Sequence, residues 1–270
     1  YNPATGEFFT GFWQVCGSGT ACFETGDGRY ELRDLTTVDR TLIGTFDDQP
    51  SSYFPGYVVT WRTSGDFGYD LNDLVTGEVT PLYASSVMGD TIALYYEDGR
   101  LKVFSTATGD LITDTAVEPV EGPQSAMMNN EGDGYVWLEL RDNDRYETTA
   151  TRVYGPEGLV SDLTHLQSKY YFLNYLTTTP EGRPLYYGTS EAPSRNGSLC
   201  DVLDATGNVA LGLGDLGGCY SYYSNSLNQL PDHVFVARRG FYYGWMDTDG
   251  KWLYCQSIFS SINADDEMGY

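Results

Sequence analysis

The sequence predicts an all-β protein built as one six-bladed β-propeller, with about four antiparallel strands in each blade. Three features of the 270 residues support this prediction. Short segments rich in β-branched and aromatic residues recur along the chain, and a tight turn follows most of them. The turns repeat at a mean interval of about 42 residues, which is typical of propeller blades. No segment shows the apolar periodicity of a helix.

Six turn-centred segments form the repeat. They are Arg29–Leu42, Tyr69–Leu82, Leu101–Thr113, Thr151–Leu163, Leu199–Leu211 and Tyr243–Cys255. Their alignment places the following residues at one turn position: Val38, Gly77, Gly109, Gly158, Gly207 and Gly250. Glycine adopts the positive φ that hairpin turns require, and Asp, Asn and Thr close such turns through side-chain hydrogen bonds. Each segment therefore predicts a hairpin.

A further predicted strand precedes these hairpins. The strands are Tyr57–Trp61, Thr91–Tyr96, Tyr135–Leu140, Tyr170–Leu176 and His233–Ala237, with Ala21–Glu24 as a weaker equivalent in the first unit. The repeat units then cover approximately residues 20–44, 56–83, 91–113, 135–163, 170–213 and 233–259. We expect residues 1–270 to form a single domain, since no linker divides the repeat.

The alternative all-β architecture is a pair of β-sandwiches of about 100–130 residues each. Two sandwiches do not explain six turn segments that align with one another, so the repeat favours the propeller.

Two of the units resemble those of a known class of propellers. Leu101–Thr113 and Leu199–Leu211 are similar to the strand, D-x-x-T-G turn and strand of secreted bacterial propellers of the quinoprotein-like and surface-layer types. The last unit, Gly240–Phe259 (GFYYGWMDTDGKWLYCQSIF), resembles a WG repeat. The first and fourth units lack the T-G turn. The resemblance implies a propeller fold and a secreted bacterial protein, but no activity, because propellers host many unrelated functions.

Charge excludes several classes of partner. The chain has 38 acidic and 15 basic side chains, a formal net charge of −23. Phosphate contacts need Lys or Arg, so we expect no nucleic-acid binding and no docking on anionic lipids. No apolar run approaches the roughly 20 residues that cross a bilayer.

The cysteines and the first residue favour an extracytoplasmic location, secreted or surface-anchored. Lysine occurs only at positions 102, 169 and 251, and the chain begins at Tyr1, so we expect a native N-terminal export or lipid-anchor segment to be missing. The five cysteines are Cys16, Cys22, Cys200, Cys219 and Cys255. Either Cys16 with Cys22 or Cys200 with Cys219 suits a disulfide, and the sequence leaves the pairing open.

Motifs for catalysis are scarce, so we do not expect an enzyme. His165 and His233 are the only histidines, and His233 opens a predicted strand, where a structural role is typical. No nucleophile elbow or zinc-protease motif occurs. The alternative function is a carbohydrate-active hydrolase or lyase that uses acidic residues in the central channel.

We expect no bound cofactor, and calcium is the one ion that the oxygen-rich loops would suit. Residues 129–134 and Asp142–Asp144 carry suitable side chains, but neither segment fits the twelve-residue calcium loop.

The candidate binding residues are Tyr220, Tyr222 and Tyr223, in a glycine-rich polar loop. Tyrosines in such a loop suit stacking on sugars or anchoring a protein partner, whereas packing between blades is the structural alternative. The sequence therefore predicts a non-catalytic exported bacterial binding or scaffold protein, which recognises a protein or glycan at the cell envelope through loops on one propeller face.

Overall fold

The computed structural model describes residues 12–17, 19–62, 68–119, 124–130, 135–142, 147–189, 200–213, 218–220 and 233–257. Strands and turns make up nearly all of them, and the one helix in these ranges is a single 3₁₀ turn, Thr164–Leu166. The chain divides into two compact units, residues 1–149 with 154–159 and residues 150–153 with 160–270.

The first unit begins with a four-stranded antiparallel sheet in the order β1-β2-β3-β4. Its strands are β1 (Phe12–Gly17), β2 (Thr20–Glu24), β3 (Tyr30–Asp34) and β4 (Leu42–Phe46). A sheet of seven strands follows in reverse sequence order, β11 to β5. Its strands are β5 (Gln49–Phe54), β6 (Tyr57–Trp61), β7 (Tyr69–Asp73), β8 (Val79–Met88), β9 (Thr91–Tyr96), β10 (Arg100–Ser105) and β11 (Leu111–Ala116).

The long strand β8 belongs to two repeat units. Its first part, Val79 to Leu82, pairs with β7, and its second part, from Leu82 to Met88, pairs with β9. The register changes between Leu82 and Ala84, where the two parts meet. The seven strands are therefore two four-stranded meanders, β5–β8 and β8–β11, that share one strand.

Three further four-stranded sheets follow, each in sequence order. The first comprises β12 (Gln124–Asn130), β13 (Val136–Asp142), β14 (Glu147–Gly155) and β15 (Gly158–Asp162). The second comprises β16 (Phe172–Thr178), β17 (Pro184–Thr189), β18 (Cys200–Leu203) and β19 (Val209–Gly212). The third comprises β20 (Gly218–Tyr220), β21 (Val234–Arg239), β22 (Tyr242–Asp247) and β23 (Trp252–Ser257).

The predicted fold class is confirmed: the described residues form six consecutive antiparallel meanders of four strands, which is the strand pattern of propeller blades. Within each sheet, the described strands pair in sequence order and none crosses over. A sandwich requires Greek-key crossovers, so this order excludes the two-sandwich alternative for the described strands. That residues 1–270 form a single domain stays a prediction.

The aligned turns join the third and fourth strands of each meander. The glycines at five of the six positions have φ between 73° and 114°, as predicted: Gly77, Gly109, Gly158, Gly207 and Gly250. The first turn differs. There Arg40, with φ of 50°, is the left-handed residue, and the alignment of Val38 with the glycines was wrong. This turn is longer, since the backbone N–H of Asp34 bonds to the carbonyl of Thr41.

Alternation along the strands produces a cluster of buried side chains within each unit. In the first unit, a cluster of buried side chains includes Phe54, Leu82 and Leu94. In the second unit, β21 and β22 contribute Phe235 and Met246 to a cluster of residues from β16 to β18. Because successive strand residues point to opposite faces, the residues between these positions lie on the other face of each sheet.

Candidate functional site

The last sheet has one buried and one partly exposed face. Phe235 and Met246 point to the buried face, where they pack against Leu185 and Val202 of the preceding sheet. The register of β22 with β23 pairs Tyr243 with Gln256 and Trp245 with Tyr254, so these four side chains share the opposite face. We call this set of four residues the aromatic face.

The aromatic face presents two large exposed rings side by side. Trp245 is 46% exposed and Tyr254 is 53% exposed, and their ring centroids lie 5.9 Å apart with an interplanar angle of 57°. Polar groups adjoin the rings. The Tyr254 hydroxyl donates to Gln256 Oε1 at 3.1 Å, and Gln256 Nε2 donates to the Tyr243 hydroxyl. Three side chains are thus held in one hydrogen-bonded row beside Trp245.

Neighbouring side chains extend this surface. Arg238 pairs with Tyr243 and Val236 pairs with Trp245 in the β21–β22 register, so both point to the same side. The Arg238 Nε donates to the carbonyl of Gly240 at 3.2 Å. That bond holds the Nε end of the guanidinium in place. The two terminal nitrogens of a guanidinium carry further N–H donors.

The turn after β22 sets the position of Tyr254 opposite Trp245. Asp247 accepts the backbone N–H of Asp249 at 3.1 Å and that of Lys251 at 2.8 Å. Gly250 has a φ of 80°, and its N–H bonds to the carbonyl of Asp247 at 3.0 Å. A Cβ at Gly250 would lie 2.7 Å from Leu211 Cδ1, so close packing also favours glycine.

The side chains of the predicted tyrosine site lie outside the described part of the chain. Tyr220 is the last residue of β20, but its side chain lies outside the described part, as do Tyr222 and Tyr223. Sequence reasoning missed Trp245 and Tyr254, which lie in the last repeat unit. The signal was present in the alternation of Tyr243, Trp245 and Asp247, which places an aromatic pair on the face opposite Met246.

Both histidines lie in the second unit at structural positions. His233 has a positive φ of 66°, and its Nδ1 lies 2.7 Å from the carbonyl oxygen of Thr178, a hydrogen bond in which the ring donates. His165 lies in the 3₁₀ turn, and a Cβ added to Gly207 would lie 3.4 Å from its Nε2. These contacts tie His233 to strand β16 and pack His165 against the β18–β19 turn.

Two carboxylates converge on Arg62 in the first unit. Arg62 Nη2 donates to Glu97 Oε1 at 3.0 Å, and its Nε lies 3.4 Å from Asp70 Oδ1 as a charge pair. The same Nη2 is near the carbonyl oxygens of Tyr69 at 3.3 Å and Leu82 at 3.2 Å. Burial raises the pKa of Asp70, although the positive charge of Arg62 opposes the shift.

Arg62 follows β6, and its guanidinium connects the first residues of β7, Leu82 within β8 and Glu97 just after β9. It is only 21% exposed as a side chain, and a Cβ at Gly68 would lie 2.5 Å from its Nη2. A guanidinium held by two backbone carbonyls serves first as a clamp between strands. Two carboxylates, those of Asp70 and Glu97, share this guanidinium.

The described residues contain no group of three or more His, Cys, Asp or Glu side chains arranged to hold a metal ion. Of the loops considered for calcium, residues 131–134 and 143–146 lie outside the described part. Asn130 uses its amide nitrogen to bond to the Thr91 hydroxyl at 2.8 Å, a contact between strands. Within the described residues, no helix is long and apolar enough to cross a membrane.

The cysteines differ in state. Cys200 is disulfide-bonded, while Cys16, Cys22 and Cys255 are free thiols. The side chain of Cys219 lies outside the described part, so its predicted pairing with Cys200 stays a prediction.

A family model described as "Domain of unknown function (DUF5046)" matches residues 1–266, and the chain belongs to this family. No curated protein matches the chain.

Solved structures of β-propellers resemble the chain at low identity. BamB from Moraxella catarrhalis is 14% identical over 90% of this chain and 75% of its own, with a TM-score of 0.34. Kluyveromyces lactis Hsv2 with loop 6CD replaced by a Gly-Ser linker is 12% identical over 91% and 83%, with a TM-score of 0.40. The computationally designed Ika8 protein is 12% identical over 91% and 85%, with a TM-score of 0.28.

Proposed function

We propose that this protein is a non-catalytic, exported bacterial binding protein that recognises a neutral glycan on the aromatic face. The exposed pair of Trp245 and Tyr254 is the single observation that carries this proposal. The face of an aromatic ring is electron-rich, so it attracts the weakly positive C–H groups on the flat side of a sugar ring. Two adjacent rings at different angles offer contacts to successive sugar units.

The polar side chains beside the rings supply the hydrogen-bond donors and acceptors that bind sugar hydroxyl groups. Gln256 and the two tyrosine hydroxyls both donate and accept hydrogen bonds, and Arg238 adds donors. Sugar hydroxyls match this mixture of groups better than an apolar peptide surface does. The formal charge of −23 opposes anionic ligands, which is why we specify a neutral glycan.

Export is part of the proposal, with the protein secreted or surface-anchored. The disulfide at Cys200 supports it, because stable disulfides persist in oxidising compartments and are rare in the cytosol. The resemblance of the units to those of secreted bacterial propellers is in keeping with this location.

A binding assay with matched tryptophan variants tests the proposal. The full chain is titrated with neutral oligosaccharides from bacterial envelopes and plant cell walls while the protein's fluorescence is followed. We expect Trp245→Ala to weaken binding about fivefold or more, since one aromatic contact contributes on the order of 1 kcal/mol or more. Trp61→Ala is the control, because Trp61 is also exposed (38%) but lies in the first unit.

Two results would contradict the proposal. One is the absence of binding by any neutral glycan at millimolar concentration, which would direct the search to a protein partner. The other is an equal loss in the Trp61→Ala and Trp245→Ala variants, which would place the glycan elsewhere or indicate a loss of folding.

The alternative function is a carbohydrate-active hydrolase, and Asp70 with Glu97 is the observation that favours it. Their carboxylates share one guanidinium, and burial raises the pKa of Asp70, as a general acid requires. Product analysis after incubation with the same oligosaccharides distinguishes the two functions. Hydrolysis that is lost in Asp70→Asn and retained in Trp245→Ala would support the hydrolase.

A further inference from the structure

Two cysteines lie in one buried cluster of the first hairpin. Cys16 lies in β1 and Cys22 in β2, and Cys22 pairs with Gln14 while Ala21 pairs with Val15. The register then shifts between Val15 and Gly17, so Cys16 lies at a β-bulge. Cys16 nevertheless follows the alternation of β1: Val15 is exposed, while Cys16 is buried on the side of Gln14, the residue that pairs with Cys22.

The two thiols lie together inside the first unit. Cys16 is 3% exposed and Cys22 is 0% exposed, and both belong to one small cluster with Leu32 and Val58. The thiol groups hydrogen-bond to each other. Cys16 Sγ also lies 3.5 Å from the carbonyl oxygen of Pro50. Two buried thiols that hydrogen-bond across a hairpin lie close enough to react as the two ends of a short disulfide.

The pair is chemically asymmetric. The hydrogen bond from Cys22 lowers the pKa of the Cys16 thiol, although burial opposes that shift. The same hydrogen bond, together with burial, raises the pKa of the Cys22 thiol. Cys16 is therefore the thiol that ionises first, and the thiolate is the nucleophile in disulfide exchange.

We propose that Cys16 and Cys22 are a redox pair that closes to a disulfide by exchange with an oxidised low-molecular-weight disulfide such as glutathione disulfide. The Cys16 thiolate attacks one sulfur of the oxidant, forming a mixed disulfide and releasing one glutathione thiolate. The Cys22 thiolate then attacks Cys16 Sγ, forming the intrachain bond and releasing the second glutathione. The two cysteines lose two electrons and two protons, and glutathione disulfide gains the electrons.

Burial determines when this reaction occurs. Both sulfur atoms are enclosed in the folded hairpin, so an external disulfide reaches them before the first unit closes or during a local opening. The bond joins β1 to β2 across the bulge. Closing this loop constrains the unfolded chain, so the oxidised protein has the higher melting temperature.

Peptide mapping tests the pair directly. The full chain carrying Cys255→Ser, which removes the exposed thiol, is unfolded, reduced and refolded at a glutathione ratio that protects Cys200 from alkylation. It is then denatured without reductant, alkylated with iodoacetamide and digested with trypsin. Because Arg29 is the first basic residue, one peptide ending at Arg29 holds Cys16 and Cys22 and no other cysteine.

We expect that peptide to carry no alkyl group and to be lighter than the dithiol form by two hydrogen atoms. Two alkyl groups, or one alkyl group with one glutathione, would overturn the proposal. Melting curves give a second measurement. In oxidising buffer, the Cys16→Ala/Cys22→Ala variant should melt roughly 4–8 °C below the Cys255→Ser control. If the same difference in melting temperature remains in reducing buffer, it arises from the packing of the two side chains and counts against the disulfide.

Discussion

The carboxylate of Asp204 accepts two hydrogen bonds from Thr206, one from the backbone N–H at 2.8 Å and one from the hydroxyl at 2.7 Å. The same pair of contacts joins Asp34 and Thr36, at 2.8 Å and 2.6 Å. An aspartate that accepts the N–H two residues later closes the turn by itself. This contact explains why an aspartate recurs at the start of turns between the third and fourth strands.

Removal of this carboxylate should destabilise the second unit. We expect Asp204→Ala to lower the free energy of unfolding by about 1 kcal/mol, as loss of a capping side chain does. The Asp204→Asn variant should retain most of this stability, because an amide oxygen accepts hydrogen bonds from the same N–H groups. Urea unfolding measures both, with the exposed Asp39→Ala as a control that should change stability little.

The turn aspartates also predict acid sensitivity. Burial by itself raises the pKa of Asp204, but hydrogen bonds from Thr206 and Asn208 outweigh it, and the pKa is lowered. Backbone hydrogen bonds from Thr76 and Val75 lower the pKa of Asp73. An aspartate with a lowered pKa in the folded state stabilises the protein above its unfolded pKa, near 3.8, and loses this contribution as the pH falls further.

Urea unfolding between pH 6 and pH 3 checks this expectation. Stability should fall below about pH 5, as carboxylates that are hydrogen-bonded in the folded state become protonated. The fall should be shallower in Asp204→Asn, which keeps an acceptor but does not titrate. Identical slopes in the two proteins would show that Asp204 does not contribute to the acid sensitivity.

The sequence predicted the strands well because each one is specified locally. Short β-forming runs and glycine turns determine where strands begin and end, and five of the six aligned glycines have the expected φ. The first turn was misaligned because Arg40 adopts the left-handed conformation without a glycine to mark it. Strand β8 was also harder to predict, since one continuous strand belongs to two units.

The candidate sites depend on contacts between residues distant in sequence, which the sequence did not show. Arg62 donates a hydrogen bond to Glu97, 35 residues later in the sequence, and no local sequence pattern predicts that contact. The aromatic face requires the register of β22 with β23, which the turn at Asp247 sets. The spacing of Cys16 and Cys22 suited a disulfide but left the cysteine pairing open, since the contact between these thiols depends on the register of β1 with β2.

Replacement of Arg62 should lower the free energy of unfolding more than the loss of an exposed ion pair does. Arg62→Ala removes donors from the carbonyls of Tyr69 and Leu82 and leaves the half-buried Asp70 without its positive partner. We expect a loss of about 2 kcal/mol in the free energy of unfolding. Arg100→Ala is the matched control, because its ion pair with Asp114 is more exposed and should contribute less than about 1 kcal/mol. Equal losses in the two variants would contradict the clamp.

Gly244 gives the sharpest steric prediction. It lies in β22 between Tyr243 and Trp245, and a Cβ there would lie 2.1 Å from the carbonyl oxygen of Tyr254. Alanine at this position must push β23 away from β22, so we expect Gly244→Ala to cost about 1–3 kcal/mol of stability. Gly212→Ala is the matched control in a strand, since a Cβ at Gly212 would meet no atom within 4 Å.

The same substitution tests whether the strand register holds the aromatic face together. Displacement of β23 moves Tyr254 away from Trp245, so glycan binding should weaken in Gly244→Ala even under conditions where the variant is fully folded. Circular dichroism in the aromatic region, which reports on the packing of rings, should change in Gly244→Ala and not in Gly212→Ala. If both variants keep the aromatic spectrum and the stability of the parent, then β22 and β23 are not in the register that places Trp245 beside Tyr254.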